Sequence, residues 1–210
     1  MKYVNRPKTV RGEKTLQNII EAAETVFYHK GYNGSTIKDI SKKAGVSVGT
    51  IYIYFPDKKS IYDYLLNHYS KFIRRKIAER IAGAKTRREA EKLGLLVFLE
   101  IVKERKFIYN IIWESLYIDK QKFVDYYQNF AKRYIEQINE AVGKGTMNEA
   151  VDEEIMAWSL MGISNFIGLK YVMFEDHDDL EEIAEKVMQM LEQNIFINDK
   201  ENKKSDKANK

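Results

Sequence analysis

Residues 36–55 read TIKDISKKAGVSVGTIYIYF. Ile37, Ile40 and Ala44 recur at helical spacing, so this short segment has one apolar face. Gly45 follows, where the chain can turn with positive φ at little steric cost. Val46 is an apolar plug in the turn. Ser47 is placed to cap a second helix by accepting backbone N–H groups. In that second helix Ile51 and Phe55 lie one turn apart and face inward. Val48, Gly49, Thr50, Tyr52 and Tyr54 are left largely outward, small residues first and then two phenols. A helix whose leading turn is small and polar can approach a major groove closely and offer hydroxyls to base edges and phosphates. The pattern predicts a helix-turn-helix with its second helix as the recognition helix. A plain αα-hairpin with a solvated face is the competing interpretation.

The DNA-facing roles follow from position. Ser47, Gly49 and Thr50, with Val48 beside them, are expected to approach bases. Thr36, Tyr52, Tyr54 and Lys58 are expected to hold phosphates, and Lys38 to do either. Lys58 stands in the first turn of the next helix, where an ammonium joins the N-terminal N–H groups at a phosphate.

Charge is distributed in the same sense. Residues 1–60 carry eleven Lys/Arg against five Asp/Glu, while residues 61–210 carry twenty-four against twenty-six. The excess positive charge sits on the segment holding the helix-turn-helix, as phosphate contact requires.

Outward from this segment, the chain reads as all-α, with about nine helices. With 210 residues it can build one good core or two small domains. Two prolines and abundant Lys, Glu, Ile, Leu and Tyr favour helix. Residues 15–30 place Leu16, Ile19, Ile20, Ala23, Val26 and Phe27 on one stripe, and Gly31 stops that helix. Asp57 caps a long fourth helix that Gly83 ends. Further helices are expected over residues 86–103, 105–117, 119–142, 152–174 and 180–196. The expected organisation is a DNA-binding domain over 1–57, a linking helix over 58–82 within a larger domain over 58–197, and a disordered tail over 198–210. On this division one helix alone joins the first three to the rest.

Several chemistries find no support. The chain has no cysteine, so disulfides and thiol chemistry are excluded. His29, His68 and His177 are scattered, without the spacing of a metal site. No Gly-rich phosphate loop or nucleophile elbow is present. No catalytic residue, metal or cofactor is expected. No apolar run approaches the ~18–20 residues of a membrane span. The basic N-terminus, MKYVNRPKTVRGEK, lacks the apolar core of a signal peptide. A cytoplasmic protein is expected.

The segment resembles a known family. Gly31-Tyr32, Thr36-Ile37, Ile40, Ala44-Gly45-Val46-Ser47, Gly49-Thr50-Ile51-Tyr52, Tyr54-Phe55 and Lys58 are similar to the signature of the TetR family of bacterial transcription regulators. The resemblance is dense from about residue 14 to 66. Pro56 departs from it, standing where the family commonly has a polar or basic residue. Proline just ahead of a helix is tolerated.

Two further features gain meaning from the resemblance. Residues 155–174 are apolar around most of the helix, which demands cover on two sides. Either this is a central core helix of a monomer, or one side meets a second subunit. The resemblance implies a homodimer through the last two helices, with Phe166 and Met173 as interface candidates. A twofold dimer matches a palindromic operator. Helices five to seven are rich in aromatics, most of them core. Tyr and Trp also carry a polar tip, useful around a ligand. The resemblance implies an effector-binding domain here, with Tyr109, Trp113, Tyr117, Tyr127 and Asn165 as lining candidates. Three functions stay open: a repressor released by a small apolar or aromatic effector, a DNA-binding protein answering to a protein partner, and a helical small-molecule binder or enzyme.

Overall fold

The computed structural model describes residues 3–147 and 152–195. The described residues form nine α-helices: α1 (Val10–Gly34), α2 (Ile37–Ala44), α3 (Val48–Tyr54), α4 (Lys58–Ile81), α5 (Arg87–Glu104), α6 (Phe107–Ile118), α7 (Lys120–Gly143), α8 (Glu153–Gly168) and α9 (Leu180–Ile195). A π-helical stretch, Leu169–Phe174, prolongs α8. The all-α reading holds. The tail 198–210 and residue 196 lie outside the described residues.

Local chemistry accounts for the ends. Thr9 caps α1 five residues earlier than the apolar stripe announced, accepting from Gly12 N. Gly31 breaks the helical backbone at φ 67°, a region that favours glycine. A Cβ there would lie 2.9 Å from the Glu114 carboxylate, the movable end of a side chain, so it is the torsion that requires glycine. Asp57 caps α4, its carboxylate accepting from Ser60 N at 2.7 Å.

The chain divides into two compact units, Met1–Phe72 with Arg105–Tyr126, and Ile73–Glu104 with Tyr127–Lys210. This differs from the division expected at residue 57. Helix α6 and the start of α7 belong with the N-terminal helices, because their apolar side is buried there. Ile108, Ile111 and Ile112 of α6 are buried, as is the Leu16, Ile19, Ile20, Ala23, Val26 and Phe27 stripe of α1. The Tyr62 hydroxyl, itself buried, donates to Ile111 O at 2.5 Å. Phe27 meets the Tyr62 ring edge-on at 5.4 Å. One helix alone therefore does not carry the N-terminal bundle; α4 and α7 both run through the two units.

In the second unit α5 is the central element. Leu95, Leu96, Val97, Phe98, Leu99, Ile101 and Val102 are all buried. A helix buried this broadly must be covered on several sides. Helices α8 and α9 pack on it. Arg88 pairs with Glu185 at 2.5 Å and Lys92 with Glu181 at 2.6 Å, tying α5 to α9. Beneath them Arg87 pairs with Glu91, and the Tyr134 hydroxyl donates to the same carboxylate.

Glu153–Phe174 is a continuous helical stretch of 22 residues. By length and composition, with mean hydropathy 1.2, this helix is long and apolar enough to cross a membrane. A third of it is buried within the chain. Its buried residues include Met156, Ala157, Leu160 and Met161, while Ile155, Trp158, Phe166 and Phe174 are exposed. These exposed residues and Gly162, which has open space beside it, form a stripe along one side.

Candidate nucleic-acid interface

The first unit carries the helix-turn-helix at the expected residues. Thr36 and Asp39 build a reciprocal cap on α2: Asp39 N donates to Thr36 Oγ1 at 3.1 Å, and Thr36 N donates to Asp39 Oδ2 at 2.9 Å. The Thr36 hydroxyl also donates to Asp39 Oδ2 at 2.7 Å. Its donors are thus used within the cap, at an exposed position. Lys30 of α1 reaches the same carboxylate at 2.6 Å. That bond, with the Thr36 bonds after it, holds the Asp39 carboxyl down to about 2, from a usual value of 3.8.

The sign of this shift sets a pH dependence. A carboxylate favoured by folding stabilises the fold above its unfolded value and loses that contribution as pH falls through its folded value. Between pH 3.8 and about 2, stability should therefore decline through Asp39. Asp39→Asn should lower stability at neutral pH and flatten this acid limb. Denaturant titrations across that range check it; an unchanged acid limb in the variant would remove Asp39 from the explanation.

The turn and the recognition helix follow. Gly45 takes the left-handed conformation, φ 67° and ψ 32°, and its N–H returns to the end of α2. Ser47 Oγ accepts from Thr50 N at 3.1 Å and lies 2.9 Å from Thr50 Oγ1. Ser47 and Gly49 are exposed, with Val48 and Thr50 half-buried beside them. A Cβ on Gly49 would meet only Ser47 Oγ, at 3.7 Å, so the leading turn of α3 is open to a close partner. Tyr52 is exposed, and Lys38 on α2 is exposed with no ion pair among the described residues.

Tyr54 is a correction. It is 7% exposed and its hydroxyl donates to Gly12 O at 3.2 Å. Ile51 defines the inner face of α3, and a residue three positions on shares that face. Ile53 is exposed instead, a residue the sequence reading had left unassigned. Lys58 is also occupied. Its ammonium donates to Tyr32 O at 2.5 Å and Ser35 O at 2.8 Å, and sits 4.2 Å from the Tyr32 ring centre. It fastens the start of α4 to the α1–α2 connection, so removing it would loosen the bundle as well as any phosphate contact.

Two contributors escaped sequence reasoning. Glu114 of α6 accepts from Tyr32 N at 2.7 Å, directly above Gly31. Asn5 holds the end of α3, its N–H donating to Tyr54 O at 2.8 Å and its side-chain amide to Ile53 O at 3.1 Å. Both join residues far apart in the chain, and no local pattern marks them.

The effector candidates are split. Tyr109, Trp113 and Tyr117 lie in the first unit, and Tyr127 and Asn165 in the second. Tyr117 is 86% exposed, out of keeping with its expected place in the lining of a pocket. Tyr109 is buried, and Trp113 is partly exposed with Phe123 at 6.3 Å. Tyr127 and Asn165 do come together: the phenol donates to Asn165 Oδ1 at 3.4 Å. Trp158 stacks at 6.3 Å from the Tyr127 ring, and burial pushes the Tyr127 phenol up to about 12. Of the interface candidates, Phe166 is exposed and Met173 is half-buried.

Comparison with known proteins agrees with this geometry. Residues 19–65 match the family described as bacterial regulatory proteins, tetR family. The HTH-type transcriptional regulator HbdR of Aromatoleum sp. (strain CIB) is 26% identical over 191 residues, 90% of this chain and 82% of that protein. The biofilm operon icaADBC HTH-type negative transcriptional regulator IcaR of Staphylococcus aureus (strain Newman) is 44% identical over 45 residues, 21% of this chain and 24% of that one. Among solved structures, the transcriptional regulator FadR from Bacillus subtilis in complex with stearoyl-CoA has the same fold. It aligns with a TM-score of 0.72 at 24% identity, over 84% of this chain and 97% of that one.

Proposed function

We propose that the chain is a helix-turn-helix transcriptional regulator of the tetR family rather than an enzyme, and that it is a homodimeric cytoplasmic repressor released by an acyl-chain effector. The observation that carries the DNA half is the leading turn of α3. Ser47 and Gly49 are exposed there, capped in place and without a bulky neighbour. Such a turn can enter a major groove, and two of them related by twofold symmetry read a palindrome with half-sites about one helical turn apart. Repression is supported by the similarity to a negative regulator over the helix-turn-helix.

The effector half rests on the second unit. Tyr127, Trp158 and Asn165 place two aromatic faces beside an amide, an apolar wall with a few polar tips. The shared fold with a regulator bound to stearoyl-CoA favours a long acyl thioester over a purely aromatic ligand. Helices α4 and α7 pass through both units, so a change of packing in the second travels along continuous backbone to the first. The effector shifts DNA affinity only by its differential affinity for two conformations.

Selection from a random duplex pool tests the proposal. It should enrich an inverted repeat, and Thr50→Ala should relax base preference at a cost of ~1–3 kcal/mol per lost direct contact. Stearoyl-CoA should then weaken operator binding about 5- to 150-fold, and operator should weaken acyl-CoA binding by the same factor. No enriched site would sink the DNA reading. An enriched site indifferent to acyl-CoA and to other apolar ligands would leave a regulator answering to a protein partner.

A further inference from the structure

The basic N-terminal segment is held against the first unit by several specific contacts, among them two from Asn5 to the end of the recognition helix. We propose that residues 3–11 form a fixed arm that extends the DNA contact beyond the helix-turn-helix, with Arg6, Lys8 and Arg11 on the sugar–phosphate backbone flanking each half-site. The proposal rests on the DNA-binding reading above and adds a second contact surface to it.

Fastening is the first ground. Lys122 donates to the Tyr3 hydroxyl at 2.6 Å and lies 4.5 Å from the Tyr3 ring centre. Val4 is buried. Asn5 donates twice, to Tyr54 O at 2.8 Å and Ile53 O at 3.1 Å, which are carbonyls at the open end of α3. Pro7 packs on Gly12 so closely that a Cβ on that glycine would lie 2.5 Å from Pro7 Cβ. Thr9 then caps α1.

Exposure is the second ground. Val4 is buried, and Asn5 and Pro7 contact the bundle, while Arg6 and Lys8 are exposed. Arg11, in the first turn of α1, is exposed as well. None of these three cations forms an ion pair among the described residues, and Glu13 is the only acidic residue before Glu21. A row of unpaired cations, anchored to the end of the helix that enters the groove, has phosphate as its fitting partner. Ordering the arm before binding removes an entropy cost that a loose basic tail would carry.

The test uses the full chain with two variants on two duplexes, one bearing the selected site and one of random sequence. Arg6→Ala/Lys8→Ala/Arg11→Ala should reduce the slope of log affinity against log salt by about 2–3 per bound head on both duplexes. Hydroxyl-radical protection outside the half-sites should disappear, with base preference inside them unchanged. Asn5→Ala keeps every cation and the backbone N–H bond to Tyr54 O but removes the amide bond to Ile53 O, which loosens the arm at the end of α3. It should weaken the same flanking protection while helix content, followed by circular dichroism, stays at the parent value. A triple variant with the parent's slope and footprint overturns the arm and leaves the helix-turn-helix reading standing. Full flanking protection in Asn5→Ala overturns the fastening. A parent protein that binds neither duplex overturns both readings together.

Discussion

Phe166→Glu is expected to turn the proposed dimer into a monomer. Phe166 is 64% exposed in the isolated chain and lies on a stripe with Ile155, Trp158 and the open Gly162. A contiguous apolar stripe of this kind marks an interaction surface. A stable interface buries more than ~1,000 Å² and is apolar at its centre. A carboxylate placed there without a partner should cost about 2–4 kcal/mol, or roughly 30- to 1,000-fold in dimerisation. Operator affinity should fall with it, because a single head reads one half-site. Tyr117→Glu is the matched control: that residue is more exposed than Phe166 but sits on α6. Light scattering at micromolar concentration should give a monomer mass for the first variant and a dimer mass for the second. A dimeric Phe166→Glu would move the interface off α8, and a monomeric parent would dismiss it. Met173 is a poorer probe, since it is half-buried and a charge there would also disturb the fold.

Glu91→Ala should destabilise the second unit by about 3–5 kcal/mol. Glu91 is 8% exposed and answers two groups, the Arg87 guanidinium and the Tyr134 hydroxyl. The guanidinium also lies 5.7 Å from the Tyr134 ring centre. Burial, and then the Glu91 charge beside it, pushes the Tyr134 phenol well above its ordinary value, so it stays a neutral donor. Removing the carboxylate strands a buried cation and a buried hydroxyl at once. Among the described residues Arg87 then keeps a long bond to Gln137 O at 3.4 Å and the Tyr134 ring face. Against a typical domain stability of ~5–15 kcal/mol the loss is large. Denaturant unfolding should show it, with Glu91→Gln losing less because the amide keeps an acceptor. Equal stability of Glu91→Ala and parent would mean that the cluster is not holding the unit.

The helix-turn-helix was legible because its signals are local. The α2 stripe, Gly45, the Ser47 cap and the inward Ile51 and Phe55 all act within about one turn of helix. Their positions therefore follow from spacing and the torsional preferences of single residues. The α1 stripe and the Asp57 cap were legible for the same reason. Tyr54 was misplaced because a seven-residue helix has too few inner positions to define its buried arc; only the carbonyl of Gly12, forty-two residues away, settled which side it takes. Thr36 and Lys58 kept their places in the chain, but their donors went to Asp39, Tyr32 and Ser35, and neighbours of that kind are set by packing.

What the sequence by itself determined is the all-α class, most helix boundaries to within a few residues, and the segment that forms the helix-turn-helix. Each of these is decided by short-range periodicity and capping. The tertiary structure alone decided that α6 belongs with the N-terminal helices, through Glu114 on Tyr32 N and Tyr62 on Ile111 O. It alone placed Asn5 at the end of α3, exposed Tyr117, and brought Tyr127 and Asn165 together. The physical reason is the same in each case. An amphipathic helix states that it has a buried face, but not which other face covers it. That choice is made by contacts between residues distant in sequence, where shape and hydrogen-bond partners match only once the chain is folded.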